Sequence, residues 1–128
     1  ISLEGCPALA GIAFDEWKKL GLENSVALNA SFDDKLHAVA SEYGPFDLIY
    51  LDGNHKEEPT IRYFEQLLKA TAKNACFLVD DIYWSKEMTT AWKYIKDHQA
   101  VTQTVDLFQM GLAFTNPDLS KQDFVLRY

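Results

Sequence analysis

The chain has 128 residues, of which 12 are Lys or Arg and 19 are Asp or Glu, so its formal net charge is −7 at pH 7. This acidic balance argues against non-specific nucleic-acid binding, which needs a basic face, and against binding to anionic membrane surfaces. Hydrophobic residues make up 48% of the chain, which is typical of a globular protein. No apolar run approaches the roughly twenty residues of a membrane span.

The first half of the chain alternates between short predicted strands and predicted helices. Residues 1–5 and 25–29 predict strands, and Pro7 opens the helix between them, as proline at a first helical position does. Asp33 or Asp34 can cap the next helix. The apolar face predicted for the first helix consists of Leu9, Ile12, Ala13, Trp17 and Leu20.

The second half begins with two apolar runs, residues 46–52 and 75–80. Neither run alternates with polar residues, which is how a strand buried on both faces reads. Glu57 and Glu58 start a helix between the two runs, and Ser85 can cap another helix after them. Three further strands, without helices between them, are predicted over residues 101–108, 111–115 and 123–128.

The order of elements predicts an α/β fold. Strands that alternate with helices indicate a mostly parallel sheet with right-handed crossovers, and the last strands indicate an antiparallel C-terminal end. Residues 1–128 contain no internal repeat or linker, so we expect one domain. The two cysteines, Cys6 and Cys76, show no metal-binding or redox spacing, and the composition fits a reducing cytoplasm.

Acidic and imidazole side chains follow the two apolar strands. Asp52 ends the first and His55 lies three residues further on, while Asp80 and Asp81 stand at the end of the second. Ligands of open α/β sheets bind outside the carboxyl ends of the strands, so we expect these side chains to share one edge. Three carboxylates and an imidazole there indicate a metal or acid–base site. The alternative is that the aspartates only cap the next helix or turn, and that His55 is a solvated loop residue.

The sequence also predicts where several other aromatic and imidazole side chains lie. Tyr83 and Trp84 follow the acid pair and either wall a substrate pocket or pack over the sheet edge. Trp17 and Trp92 lie on apolar helical faces and are expected in the core. His98 lies on a predicted helix in polar surroundings and is expected at the surface.

Four short motifs follow one another along the chain. They are Leu3-Glu4, Leu28-Asn29-Ala30-Ser31-Phe32-Asp33, Phe46-Asp47-Leu48-Ile49-Tyr50-Leu51-Asp52 and Val79-Asp80-Asp81. In this order they resemble the second to fifth strands of class I S-adenosylmethionine-dependent methyltransferases, especially the catechol O-methyltransferase-like group and its bacterial members. The resemblance covers nearly the whole chain and implies a Rossmann-like methyltransferase sheet.

The resemblance also implies site residues. It implies that Glu4 binds the ribose hydroxyls of the cofactor, because a carboxylate can accept hydrogen bonds from both hydroxyls. It also implies that Ser31 and Phe32 lie beside the adenine. Asp52 would contribute to the cofactor site as well. The metal ligands implied for Mg²⁺ are Asp52, Asp80 and Asp81. The group places a lysine as general base at the position of His55, and an imidazole suits that task because it titrates near neutral pH.

The chain departs from the family at its beginning. Its six glycines form no Gly-rich turn of the kind that passes under the methionine part of the cofactor. We therefore expect an N-terminally truncated methyltransferase domain, whose sheet closes the gap or pairs with a second copy in a homodimer. Such a chain is expected to have little or no activity by itself.

The function implied by the resemblance is methyl transfer from S-adenosylmethionine to a hydroxyl of a small molecule, assisted by Mg²⁺. An alternative is a non-catalytic α/β module that acts in assembly and retains a vestigial cofactor site. A phosphoacceptor receiver domain fits less well, because receivers place the acid pair on the first strand and a lysine at a later strand end.

Overall fold

The computed structural model describes residues 1–127. The chain divides into two compact units, one comprising residues 1–43 and the other beginning at residue 44. Within residues 1–127, no helix has both the length and the apolar character that a bilayer crossing requires.

The first unit consists of two strand–helix pairs. Its elements are β1 (Ser2–Glu4), α1 (Pro7–Lys19), β2 (Ala27–Asn29) and α2 (Phe32–Tyr43). Strands β1 and β2 are parallel, with Leu3 opposite Leu28. The first four predicted elements are therefore present in the predicted order, and Pro7 occupies the first turn of α1 as expected.

The apolar face predicted for α1 is not buried. Leu9, Ile12 and Leu20 are 54%, 59% and 70% exposed, and Ala10 is the buried residue of α1. Trp17, expected in the core, is half-buried. The predicted helix is present. Periodicity, however, indicates only which side chains share a face and does not show that another element packs against that face.

Helix α2 is capped by Ser31 and not by the predicted Asp33 or Asp34. The hydroxyl of Ser31 accepts a hydrogen bond from the backbone N–H of Asp34 at 3.2 Å and donates to its carboxylate at 2.6 Å. Neither Asp33 nor Asp34 is the cap, because both lie inside the first turn. Their negative charges suit that position near the helix N-terminus.

The second unit contains a mixed sheet with two helices. Its elements are β3 (Phe46–Leu51), α3 (Glu57–Leu68), β4 (Thr71–Asp80), α4 (Lys86–Asp97), β5 (Gln103–Asp106), β6 (Met110–Phe114) and β7 (Gln122–Val125). The strand order is β3-β4-β6-β5-β7. Strands β3 and β4 are parallel, β6 is antiparallel to both β4 and β5, and β7 is parallel to β5. The prediction of an α/β fold with an antiparallel C-terminal end is confirmed.

The core of this unit lies between one face of the sheet and helices α3 and α4. Phe77 and Val79 of β4 are fully buried, and so is Phe64 of α3, whose ring centroid lies 4.9 Å from that of Phe77. Trp92 of α4 is 1% exposed, as expected for a core side chain, and its ring lies directly over Gly111 of β6.

The opposite face of the sheet is more open, so the prediction that β3 is buried on both faces is wrong. Leu48 and Tyr50 point away from the buried Ile49 and are 62% and 54% exposed. In β4 the alternate residues Cys76 and Leu78 are half-buried. An apolar run without alternation therefore marks one buried face here, not two.

Both ends of α4 are satisfied by specific side chains. The hydroxyl of Ser85 accepts from the backbone N–H of Met88, which confirms the predicted cap. At the other end, the ammonium of Lys121 donates to the carbonyls of Lys96, His98 and Val101, the last at 2.8 Å. A cation at a helix C-terminus is favoured because the last carbonyls have no partner inside the helix.

His98 follows α4, and the prediction that it lies at the surface is wrong. Its side chain is 17% exposed, packs edge-on against Phe64, and lies 3.2 Å from the Glu65 carboxylate through Nε2. Its Nδ1 accepts from the backbone N–H of Ala100 at 3.1 Å, so the proton of the neutral ring is on Nε2.

Two glycine-to-alanine substitutions should change the free energy of unfolding in opposite directions. A Cβ at Gly111 would lie 2.6 Å from the Trp92 ring, whereas a Cβ at Gly11 in α1 would meet nothing within 4 Å. We expect Gly111→Ala to lower the free energy of unfolding by about 1–3 kcal/mol through overpacking. Gly11→Ala should raise helix stability by roughly 0.5–1 kcal/mol. Urea unfolding followed by circular dichroism measures both, and an unchanged Gly111→Ala midpoint would contradict the packing described.

Candidate functional site

The pairing of β3 with β4 brings the predicted acidic residues to one edge of the sheet. Leu51 lies opposite Val79 in parallel register. Asp52 and Asp80 are the next residues along their strands, so both carboxylates leave the sheet at its carboxyl edge. The side chain of Asp52 is 45% exposed and that of Asp81 is 38% exposed, so solvent reaches this edge.

The imidazole of His55 lies between two of these carboxylates. Its Nε2 is 3.3 Å from Oδ1 of Asp52, and its Nδ1 is 3.7 Å from Oδ2 of Asp81. The Nε2 atom is buried and has no hydrogen-bond partner, so its contact with Asp52 is close but not aligned as a hydrogen bond. The structure thus places the His55 side chain beside those of Asp52 and Asp81, and their roles stay predictions.

Unusual backbone conformations hold this cluster. Asn54, His55 and Asp81 have φ angles of 64°, 23° and 53°, in the left-handed region that residues other than glycine seldom adopt. Such conformations cost on the order of 1–3 kcal/mol each and persist where the surrounding structure over-determines them. Their occurrence at both loops of the cluster indicates that the position of the ring is built into the fold.

Asp80 is held by different partners. Its Oδ2 accepts from the hydroxyl of Tyr50 at 2.7 Å, and its Oδ1 accepts from the backbone N–H of Asp81 at 3.0 Å. The hydrogen bond to Asp80, followed by partial burial and the charge of Asp52, raises the pKa of Tyr50 above that of an ordinary tyrosine. Tyr50 was not predicted as a residue of this site. Strand alternation was the signal, because Tyr50 and Asp52 share a face of β3.

The donor atoms do not fit a divalent cation as they stand. Within residues 1–127 no group of three or more His, Cys, Asp or Glu side chains is placed to hold a metal ion. Asp52 and Asp81 face His55, while Asp80 is bound by Tyr50 and its own neighbour's N–H. The sequence-based assignment of Mg²⁺ to Asp52, Asp80 and Asp81 stays a prediction.

A single carboxylate at the end of β5, that of Asp106, collects several hydrogen-bond donors. Asp106 accepts hydrogen bonds from the Tyr83 hydroxyl, the Phe108 N–H and Arg127. Burial opposes ionisation of Asp106, but these donors outweigh it and hold the pKa of its carboxyl below the ordinary value. The Tyr83 hydroxyl is therefore used structurally. Trp84 is 74% exposed and does not pack over the sheet edge.

The residues predicted to contact the nucleoside lie in the first unit. Glu4 and Asn29 are paired at the carboxyl end of the β1–β2 ladder, and Ser31 lies two residues after the end of β2. An Oε1 atom of Glu4 accepts from the backbone N–H of Cys6 at 2.6 Å, which fixes the carboxylate beside the start of α1. Phe32 is half-buried. Their roles toward a cofactor stay predictions.

Comparison with known proteins gives one sequence family and one fold. A family model described as a methyltransferase domain matches residues 7–82. The structure resembles that of the O-methyltransferase from Bacillus cereus in complex with SAH, with a TM-score of 0.70 and 19% sequence identity. The alignment covers 88% of this chain and 60% of that chain. No curated protein matches this chain at a significant level. At this identity the likeness shows the fold, which is the Rossmann-like fold that the sequence predicts.

The contact between Tyr50 and Asp80 predicts a tyrosine that does not ionise in the usual range. Its raised pKa means that the hydrogen bond stabilises the fold fully below the ordinary tyrosine pKa, and that this contribution is lost as the pH rises through the raised value. Between roughly pH 9 and 11, where ordinary tyrosines ionise, Tyr50→Phe should leave the phenolate absorbance of the folded protein unchanged. In denaturant the same variant should lack the absorbance of one tyrosine. Loss of that signal in the folded state would contradict the contact.

Proposed function

The chain belongs to the methyltransferase-domain family, and from this membership we propose that it transfers a methyl group from S-adenosylmethionine to a hydroxyl oxygen of a small molecule. The donor is inferred from the B. cereus O-methyltransferase of the same fold, whose structure contains SAH. This chain spans 60% of the length of that protein. The expectation that the chain alone has little activity therefore stays part of the proposal.

The observation that carries the proposal is the imidazole of His55 between Asp52 and Asp81 at the carboxyl edge of the sheet. In methyl transfer to oxygen, a lone pair of the acceptor oxygen forms the O–CH₃ bond while the S–CH₃ bond breaks and its electrons stay on sulfur. The hydroxyl proton must leave at the same centre. His55 accepts that proton, and the two flanking carboxylates stabilise the imidazolium that forms.

The remaining predicted residues serve binding. Glu4 accepts from the ribose hydroxyls, Ser31 and Phe32 contact the adenine, and Asp52 contributes to the cofactor site in addition to orienting His55. No step of the reaction is assigned to a metal ion, because the three aspartates do not converge on one point. As a positioned general base, His55 is expected to accelerate the reaction by a factor of about 10²–10⁴.

Binding of S-adenosylhomocysteine tests the first part of this proposal. We expect isothermal titration to show saturable binding, and Glu4→Gln to weaken it by about 10–100-fold, because a hydrogen bond to a charged group contributes about 1.5–3 kcal/mol. Glu16→Gln is the matched control, since Glu16 is an exposed acid of α1 paired with Lys19. Equal weakening by both variants would mean that Glu4 does not contact the ligand.

Replacement of His55 tests the catalytic part. Any methyl transfer that the chain shows toward a panel of catechols and phenols should fall by about 100-fold or more in His55→Ala, with little change in S-adenosylhomocysteine affinity. His37→Ala removes an exposed imidazole from α2 and should leave the rate unchanged. A His55→Ala variant as active as His37→Ala would remove His55 from the reaction.

A second candidate function is supported by the open surfaces of the molecule. Leu48 and Tyr50 of β3 are exposed, and within residues 1–127 β3 pairs with β4 alone. A non-catalytic module that assembles through such surfaces would form a stable oligomer and show no saturable binding of S-adenosylhomocysteine. Size-exclusion chromatography with light scattering, together with the titration above, distinguishes this candidate function from the enzymatic one.

A further inference from the structure

We propose that His55 occupies the space between Asp52 and Asp81 that a divalent cation would take, and so excludes the cation from this pair. The exclusion itself does not depend on the proposed function. Its consequence does: if the chain transfers methyl groups, an imidazole and not a metal ion contacts the acceptor hydroxyl.

The distances place the ring on the path between the two carboxylates. One ring nitrogen lies beside each carboxylate, with Nε2 3.3 Å from Oδ1 of Asp52 and Nδ1 3.7 Å from Oδ2 of Asp81. A Mg²⁺ ion binds oxygens at about 2.0–2.1 Å, so both carboxylates would have to close on the region that the imidazole fills. A cation and the ring cannot occupy that region together.

Local backbone geometry keeps the ring in this position. Asn54 and His55, on the loop that carries the ring, and Asp81, on the loop that carries the facing carboxylate, all have left-handed backbone conformations. The Nε2 atom is buried, although 31% of the His55 side chain is exposed, so the shielded part of the ring is the part that faces Asp52. Displacing the ring would have to overcome packing that already sustains strained backbone on both loops.

The third carboxylate does not offer an alternative. Both oxygens of Asp80 already accept hydrogen bonds, one from Tyr50 at 2.7 Å and one from the N–H of Asp81 at 3.0 Å. Recruiting Asp80 to a cation shared with Asp52 would require its carboxylate to turn away from both donors. Both oxygens of Asp80 are therefore satisfied by protein donors, while Asp52 and Asp81 flank the His55 ring.

Titration with Mn²⁺, read by calorimetry, tests the exclusion directly. We expect His55→Ala to bind Mn²⁺ at least about tenfold more tightly than the unmodified chain, which corresponds to about 1.4 kcal/mol. His98→Ala is the matched control, because it removes an imidazole that lies 3.2 Å from the single carboxylate of Glu65. Its Mn²⁺ affinity should equal that of the unmodified chain. His55→Asn serves as the second variant should His55→Ala not fold, since asparagine tolerates a positive φ.

Two results would overturn the proposal. One is Mn²⁺ binding that is equal or weaker in the His55 variant than in the unmodified chain, which would make His55 a bystander or a ligand. The other is the absence of Mn²⁺ binding in both proteins, which would mean that the ring excludes nothing. Binding of S-adenosylhomocysteine, measured without metal, reports separately on the proposed function, so failure of one does not imply failure of the other.

Discussion

The register of β3 on β4, fixed by one buried face of the sheet, is the constraint on which the site depends. Phe77 and Val79 are fully buried beneath α3 and α4. Because side chains alternate along a strand, a slip of one residue would turn both toward the more open face and bring Cys76, Leu78 and Asp80 inward. The same register sets Leu51 against Val79 and therefore delivers Asp52 beside the acid pair. Packing far from the edge thus determines which charges meet at the edge.

Much of this architecture was predictable from the sequence because it depends on local signals. Ser85 before an amphipathic stretch predicted a helix start, and apolar runs that end in aspartate predicted where the strands of the second unit stop. What covers each face was not predictable. Leu48 in β3 and Ile12 in α1 follow the expected periods yet are exposed, because periodicity specifies direction within an element and not the presence of a partner.

The candidate site shows the same division. Topology predicted that Asp52, His55 and the Asp80–Asp81 pair share an edge, since parallel strands end together. The pairing among them was not predictable, because it is set by the left-handed backbone at His55 and Asp81 and by the Tyr50 hydroxyl. Neither residue is a glycine, so no sequence signal marked the turn. A metal-binding pattern and an acid–base pattern use the same residue types, and only side-chain geometry distinguishes them.

The ammonium of Lys121 gives the C-terminal segment a role in helix stability. It stands just before β7 and binds carbonyls from the last turn of α4 and from the residues that follow it. If β7 detached from β5, those carbonyls would lose their cation at the same moment as the sheet lost its outer strand. The end of α4 and strand β7 should therefore open together, as one cooperative unit, although 25 residues separate Lys96 from Lys121 in the chain.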